Sequence, residues 1–252
     1  RFPLREDDIS GSIPPRIKIR GILETAMNYH RDKDYIENES TFRNIFQKRF
    51  DLIKQYHLAG GTKTVLDIGC SNGVFLDLFK ESGFETWGVE PSGNAGVASK
   101  KGHKILKNTF EKAELPKNYF DLVIMNHVLE HLDNPTMVLA KAYKLLQPNG
   151  ILFVDVPNAG GLGSKILGKH WPYLLPKEHK SQFTKESLGK LLKETGFEVL
   201  HWESRSGVFE YANPFLELTR PRFLVDLLLF PYSLLVTLLN MGDSMSFIAK
   251  KK

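Results

Sequence analysis

TVLDIGCSNGVFL, residues 64–76, decides how the rest of the chain is read. A short apolar run carries an acid, Asp67, near its end. Gly69 and Gly73 follow, four apart, and an apolar-periodic segment then begins. A parallel strand ends at its carboxyl edge, and doubly wound sheets bind their ligands at that edge. Glycines there let the backbone turn tightly and approach a ligand. The free N–H groups of a helix starting near Asn72 point at the same place. The stretch is therefore predicted to be a strand, a turn and a helix that bind a nucleotide-like ligand. Asp67 would accept hydrogen bonds from the ligand or order the loop. The run Gly69-Cys70-Ser71-Asn72-Gly73 does not meet the dinucleotide pattern G-x-G-x-x-G, and no G-K-[ST] is present. A second acid, Glu90, lies 21 residues beyond Gly69 at the end of the next apolar run, where a carboxylate takes two ribose hydroxyls.

Working outward, strands and helices alternate. KTVLDIG, FETWGVEP, HKILKN, YFDLVIMN, ILFVDVPN, FEVLHWES and SMSFIAKK read as strands. GVFLDLFKESG, GNAGVASKKG, NPTMVLAKAYKLLQPNG and TKESLGKLLKETG read as helices. Pro148 and Gly150 are expected to stop the third helix, and Thr184 to cap the fourth, with Ser187 in its first turn. Upstream, Phe42, Phe46, Phe50, Ile53 and Tyr56 recur at helical spacing over residues 40–58. Residues 1–20, rich in Pro, Gly and Ser, read as an extended arm. The pattern predicts an α/β, doubly wound, Rossmann-like sheet with helices on both faces. The domain division expected is an arm and entrance segment over 1–36 and one catalytic domain over 37–252, with an apolar insertion at 207–241.

The 252 residues carry a formal net charge of +5, with 42% apolar and 25% charged residues. That is an ordinary globular composition. No stripe of clustered basic residues with interleaved aromatics appears, which argues against a nucleic-acid partner. The single cysteine, Cys70, excludes an intramolecular disulfide and fits a reducing compartment. Residues 1–30 have mixed charge and no apolar core, so no signal peptide is expected there, and the expected location is cytoplasmic.

VLDIGCSNG, GVEPS, FDLVIMNHVLEHLDNP and LLQPNGILFVDVPN together resemble the class I S-adenosylmethionine-dependent methyltransferases. The resemblance spans roughly residues 28–206 and is nearest to the group of ubiquinone-biosynthesis O-methyltransferases. It implies a seven-stranded, mostly parallel sheet whose last strand is antiparallel, with S-adenosylmethionine as cofactor. It implies that Asp67, Gly69, Cys70, Ser71 and Gly73 line the methionine side, with Glu90 and Pro91 at the ribose. Thr109, Phe110 and Glu111 would flank adenine, and Asn126 and His127 would close the site. Ser71 departs from the group's usual glycine, and its hydroxyl is expected to bond the cofactor.

Methyl transfer to oxygen benefits from alignment, water exclusion and a base. Two clusters offer titratable groups. HVLEH holds His127, Glu130 and His131. The pattern H-x-x-E-H also occurs in a zinc-protease motif, but here it follows a strand of a cofactor-binding sheet. Some quinone O-methyltransferases place an acid, a Glu-His pair and a divalent metal here. In this chain His127 stands at the first acid, and no metal is assigned. KHWPYLLPKEHKSQFT, residues 169–184, lies in a long connection that reads as a lid. Its His179 is the preferred base, with packing under the lid as the alternative. Tyr29 and Tyr35 are candidates to cover the cofactor.

FLVDLLLFPYSLLVTLL, residues 223–239, is too short for a membrane span, which takes about 20 apolar residues. It reads as a core or lid helix pair, a membrane-surface contact assisted by Arg220, Arg222 and the lysine tail, or an oligomer interface. The function expected is methyl transfer to a small-molecule, lipid-linked or sugar-linked acceptor, most simply at oxygen. Alternatives are a non-catalytic scaffold of the same fold and a nicotinamide oxidoreductase. An RNA methyltransferase is disfavoured by the mild charge and the missing N-P-P-[YF] run.

Overall fold

The computed structural model describes residues 32–56 and 63–252. The expected arm and Tyr29 lie outside the described residues. Seven strands form one sheet: β1 Thr64–Ile68, β2 Glu85–Val89, β3 Lys104–Leu106, β4 Phe120–Asn126, β5 Leu146–Pro157, β6 Phe197–Arg205 and β7 Ser244–Lys251. Their order is β3-β2-β1-β4-β5-β7-β6. The β1–β5 pairings are parallel, and β7 runs antiparallel to both β5 and β6. The carboxyl ends of β1, β2 and β4 therefore share one edge with the end of β6 and the start of β7.

The helices are α1 Asp32–Glu37, α2 Glu39–Lys54, α3 Val74–Glu81, α4 Ala95–Lys100, α5 Pro135–Leu145, α6 Leu162–Leu167, α7 Lys185–Glu194, α8 Pro221–Leu228 and α9 Phe230–Leu238. The central strands are buried on both faces, which is why they read as continuous apolar runs. On β4, Leu122 and Ile124 join the core half that contains Phe46, Phe75 and Phe79, while Val123 and Met125 join the half that contains Leu139, Leu188 and Phe247. The boundary expected at 36/37 falls at the end of α1, whose Tyr35 stacks on Phe42 of α2 with ring centroids 4.0 Å apart.

One helix is shorter than its sequence suggested. α5 ends at Leu145, and residues 146–150 already belong to β5. Pro148 has no N–H to continue the helix and disfavours helical backbone at Gln147; the chain is already extended one residue earlier, at Leu146, with ψ 143°. The Thr184 cap forms as expected: its side chain accepts from the Ser187 N–H, and the Ser187 hydroxyl accepts from the Thr184 N–H.

The segment between β6 and β7 folds as two short helical turns, Gly207–Glu210 and Pro214–Glu217, followed by α8 and α9. It is a helix pair but not a core one. Phe223 and Val236 point inward, while Leu228 is 81% and Leu238 74% exposed. The lysine tail lies at the far edge of the sheet, where Lys251 donates to Asn118 Oδ1 and the Leu146 carbonyl. It therefore cannot assist this segment, contrary to the sequence expectation. Among the described residues no helix is long and apolar enough to cross a membrane.

Candidate active site at the carboxyl edge

The turn after β1 is stapled to β2. Gly69 takes φ +74° and donates from its N–H to the Val89 carbonyl at 2.8 Å. A Cβ at Gly69 would lie 2.6 Å from Val128 Cγ2, so both the conformation and the space demand glycine. Glu90, buried at the end of β2, accepts from the Ser71 N–H at 2.9 Å and the Ser92 N–H at 2.8 Å. A carboxylate offers about four lone-pair directions, so acceptor capacity remains for a ligand. Asp67 is buried nearby; burial, reinforced by the Glu90 charge, pushes its pKa well above the usual carboxylate range. At the end of β4 the buried Asn126 Oδ1 has no hydrogen-bond partner. Two crowded acids and an orphan acceptor fit a ligand with a cationic head and adjacent hydroxyls.

Tyr35 overlooks this edge from α1. Burial first, and then the Asp67, Glu90 and Glu130 charges, push its phenol pKa up, against the opposing effect of Arg49. One hydroxyl thus senses both the acid pair and the cluster after β4. Asn72 fastens α1 and α2 to the turn by donating to the Tyr35 carbonyl and Glu39. Ser71 also takes positive φ, +47°, and its hydroxyl accepts from Asn94 Nδ2 at 2.9 Å. That hydroxyl orders the loop.

Other expected cofactor residues sit differently. Phe110 is 3% exposed, its ring packed in the core with Lys141 Nζ 4.8 Å from its centroid. Thr109, Glu111 and Pro91 are exposed around it at the same edge. The Cys70 side chain packs into the core against Gly88, and a Cβ at Gly73 would meet His103 and Ala98. Cys70 and Gly73 shape the turn through their backbones.

The second half of the site follows β4. His127 takes φ +53° and is buried between two acids, with Nδ1 3.2 Å from Glu130 Oε1 and Nε2 3.3 Å from Asp155 Oδ1. His131 Nδ1 donates to the Glu178 carbonyl, and His179 Nδ1 to the Tyr173 carbonyl at 2.8 Å. A carbonyl only accepts, so each Nδ1 carries the hydrogen and the neutral ring keeps its lone pair on Nε2. Burial lowers the His179 pKa, with Glu130 opposing it. Glu130 is 1% exposed, and its Oε2 has no hydrogen-bond partner. Glu130, His131 and His179 bring one donor atom each within 4.8 Å of one another. His131 and Glu178 are 47 residues apart in sequence, and the fold of the long connection brings them together.

Asp155 is the residue sequence reasoning missed. It is fully buried on β5. Burial would raise its pKa, but Arg49, Arg205 and His127 outweigh that and hold it below the usual carboxylate range. Arg205 Nη2 donates to Asp155 at 2.7 Å and Arg49 Nε lies 3.3 Å away. Both guanidiniums also meet Glu210. This network ties α2, β5, β6 and the insertion to His127. The signal was visible as an acid inside ILFVDVPN, an otherwise apolar strand.

A family profile described as "Methyltransferase domain" matches residues 31–202. The chain belongs to the methyltransferase domain family. It is similar to a ubiquinone biosynthesis O-methyltransferase of Photobacterium profundum, 29% identical over 163 residues, 57% of this chain and 68% of that protein. A protein of the same name from Nitrosospira multiformis is 31% identical over 157 residues, covering 56% of this chain and 64% of that one. The chain thus spans about two thirds of the length of these relatives. Its fold matches the crystal structure of a SAM-dependent methyltransferase from Archaeoglobus fulgidus with a TM-score of 0.61 and 23% identity, over 87% of this chain and all of that one. It also matches Haemonchus contortus phosphoethanolamine N-methyltransferase 2 in complex with S-adenosylmethionine, with a TM-score of 0.58 and 17% identity over 89% of this chain and 60% of that one. The methyltransferase is a class I enzyme with S-adenosylmethionine as cofactor. The nicotinamide alternative falls with this assignment.

Proposed function

We propose that the methyltransferase acts on an oxygen of a small or lipid-linked acceptor, with His179 as the base. The observation that carries this reading is the state of His179. Its Nδ1 is committed to the Tyr173 carbonyl, and burial holds its pKa below the ordinary value, so near neutrality Nε2 is a free acceptor. Such a group takes a hydroxyl proton as the oxygen attacks. Bound at the carboxyl edge, S-adenosylmethionine supplies an electrophilic methyl group on a sulfonium. Asp67 and Glu90 would offer it carboxylates, Asn126 Oδ1 a further acceptor, and Gly69 the close backbone approach. Tyr35 would exclude water above it. His127, held between Glu130 and Asp155, would fix the loop that carries Glu130. The names of the quinone-pathway relatives support oxygen as the nucleophile.

The test is transfer of a labelled methyl group to paired phenolic and amine acceptors, short and long chained. Labelling of the phenols that falls at least about a hundredfold in His179→Gln supports the reading. Labelling of amines alone, or phenol labelling unaffected by His179→Gln, overturns it.

A second reading has its own observation. The orphaned Glu130 Oε2 and the imidazoles of His131 and His179, with one ligand atom of each within 4.8 Å of the others, are the ligand types of a zinc or non-haem iron site. Elemental analysis of the purified protein separates the readings. About one equivalent of metal, lost in Glu130→Gln, favours a cation there, and none favours the free base.

A further inference from the structure

Fourteen of the seventeen exposed large apolar side chains among the described residues fall in two stretches, 166–167 and 215–239. These stretches form one surface. A Cβ at Gly163 of α6 would meet the Tyr232 hydroxyl of α9 at 2.8 Å, so the two helices pack in direct contact. Tyr232 and Trp171 both donate to Asp243, which locks the lid to the insertion. Single exposed leucines are ordinary, but a contiguous patch of this kind marks an interaction site.

The charged residues in and beside these stretches are sorted by sign. The acids turn inward: Glu210 pairs with Arg49, Glu217 accepts from Thr41 and Asn44, and Asp226 accepts from Tyr211. Arg220 pairs with Glu217 at 3.2 Å, so the charges left outward are those of the exposed Lys165 and Lys169. An apolar face with a basic rim matches the boundary between acyl chains and anionic headgroups. α8 and α9 have 8 and 9 residues, hence lengths of about 12–14 Å, far below a hydrocarbon core of about 30 Å. They suit lying in that boundary.

The surface also stands at the right edge. Ser244, where β7 begins, pairs with Pro157 at the end of β5 and Arg205 at the end of β6. The insertion therefore emerges at the edge that holds the site, beside the lid that carries His179. We propose that the face formed by α6, α8 and α9 docks on an anionic lipid surface and opens the acceptor side of the site toward it. The role of this surface rests on the lipid-linked acceptor reading above; its existence does not.

The test is flotation of the full chain with vesicles of phosphatidylcholine alone and of phosphatidylcholine with phosphatidylglycerol. The expected result is binding that is tighter to the anionic vesicles. The double variant Leu228→Gln, Leu238→Gln should weaken it at least tenfold while melting and S-adenosylmethionine titration stay unchanged, because neither side chain is packed. Lys165→Gln with Lys169→Gln should remove the preference for anionic vesicles. Wild-type protein that stays unbound with both vesicles overturns the proposal. So does a solution dimer that the leucine double variant dissociates, which would assign the face to a second copy. Vesicle binding without methyl transfer to any oxygen acceptor would sink the acceptor reading alone. Transfer to a soluble phenol by a protein that never floats would sink the surface alone.

Discussion

Replacing Asp155 by Asn removes a charge from a fully buried position without changing its shape. In the native protein that carboxylate meets Arg205 Nη2 at 2.7 Å, Arg49 Nε at 3.3 Å, and the hydroxyls of Ser244 and Ser246 at 2.8 and 2.5 Å. Removing one partner of a buried ion pair costs about 3–5 kcal/mol, because the remaining charge is left uncompensated. Arg205 keeps Glu203 at 2.5 Å and Arg49 keeps Glu210 at 2.6 Å, which places the expected loss near the low end, about 3 kcal/mol. For a chain of this size each kcal/mol moves Tm by about 2–4 °C, so a drop of about 6–12 °C is expected. Differential scanning calorimetry at pH 7 reads it directly. The sign with pH follows from the depressed folded pKa. The stabilisation is fully present above the unfolded value near 3.9 and is lost as pH falls through the folded value, so the deficit should be the same at pH 7 and pH 8. A Tm loss below about 2 °C would refute the claim that this network holds the site together.

His179→Gln should lower kcat far more than it changes cofactor affinity. In the wild type the acid limb of the kcat profile should have its midpoint below the ordinary histidine value of about 6.5, since burial lowers the pKa and activity disappears only as pH falls through it. A midpoint above that value, or an acid limb that persists in the variant, would remove His179 as the base. Gly69→Ala should cost about 1–2 kcal/mol from its left-handed backbone alone and more from the clash with Val128. Adding Val128→Ala should relieve the second part only, and full recovery in urea titration would contradict the backbone reading. Tyr35→Phe should leave the melt nearly unchanged but raise the S-adenosylmethionine Kd, as measured by calorimetry; an unchanged Kd would remove the hydroxyl from the cofactor site.

The doubly wound sheet was legible because its strands are buried on both faces and so read as unbroken apolar runs separated by helices with clear stops. The turn after β1 was legible for a local reason: Gly69 and Glu90 are fixed by chain geometry within one strand–helix–strand unit. The burial of Phe110 was not legible, because an aromatic residue beside an expected adenine pocket and an aromatic residue of the core look the same in sequence; the packing on Lys141 shows where its ring lies. Asp155 was missed because its partners, Arg49 and Arg205, come from elements more than a hundred residues away on one side and fifty on the other. The meeting of His179 with Glu130 and His131 depends on how the long connection folds back over β4, which no periodicity encodes. The insertion was legible as apolar, but its orientation stayed open among core, membrane and interface readings, because the segment that forms α9 is apolar on nearly every side even though α8 is amphipathic.

Calorimetric titration of wild-type protein and Glu90→Ala with S-adenosylmethionine tests the cofactor site most directly. Wild-type protein should bind in a one-to-one ratio. The variant should lose the charged hydrogen bonds of Glu90, worth about 1.5–3 kcal/mol, and bind about ten- to a hundredfold more weakly, with its melt recorded alongside to confirm folding. A folded variant that binds within twofold of the wild type, or a wild type that does not bind at all, would contradict the placement of the cofactor at the carboxyl edge between β1 and β2.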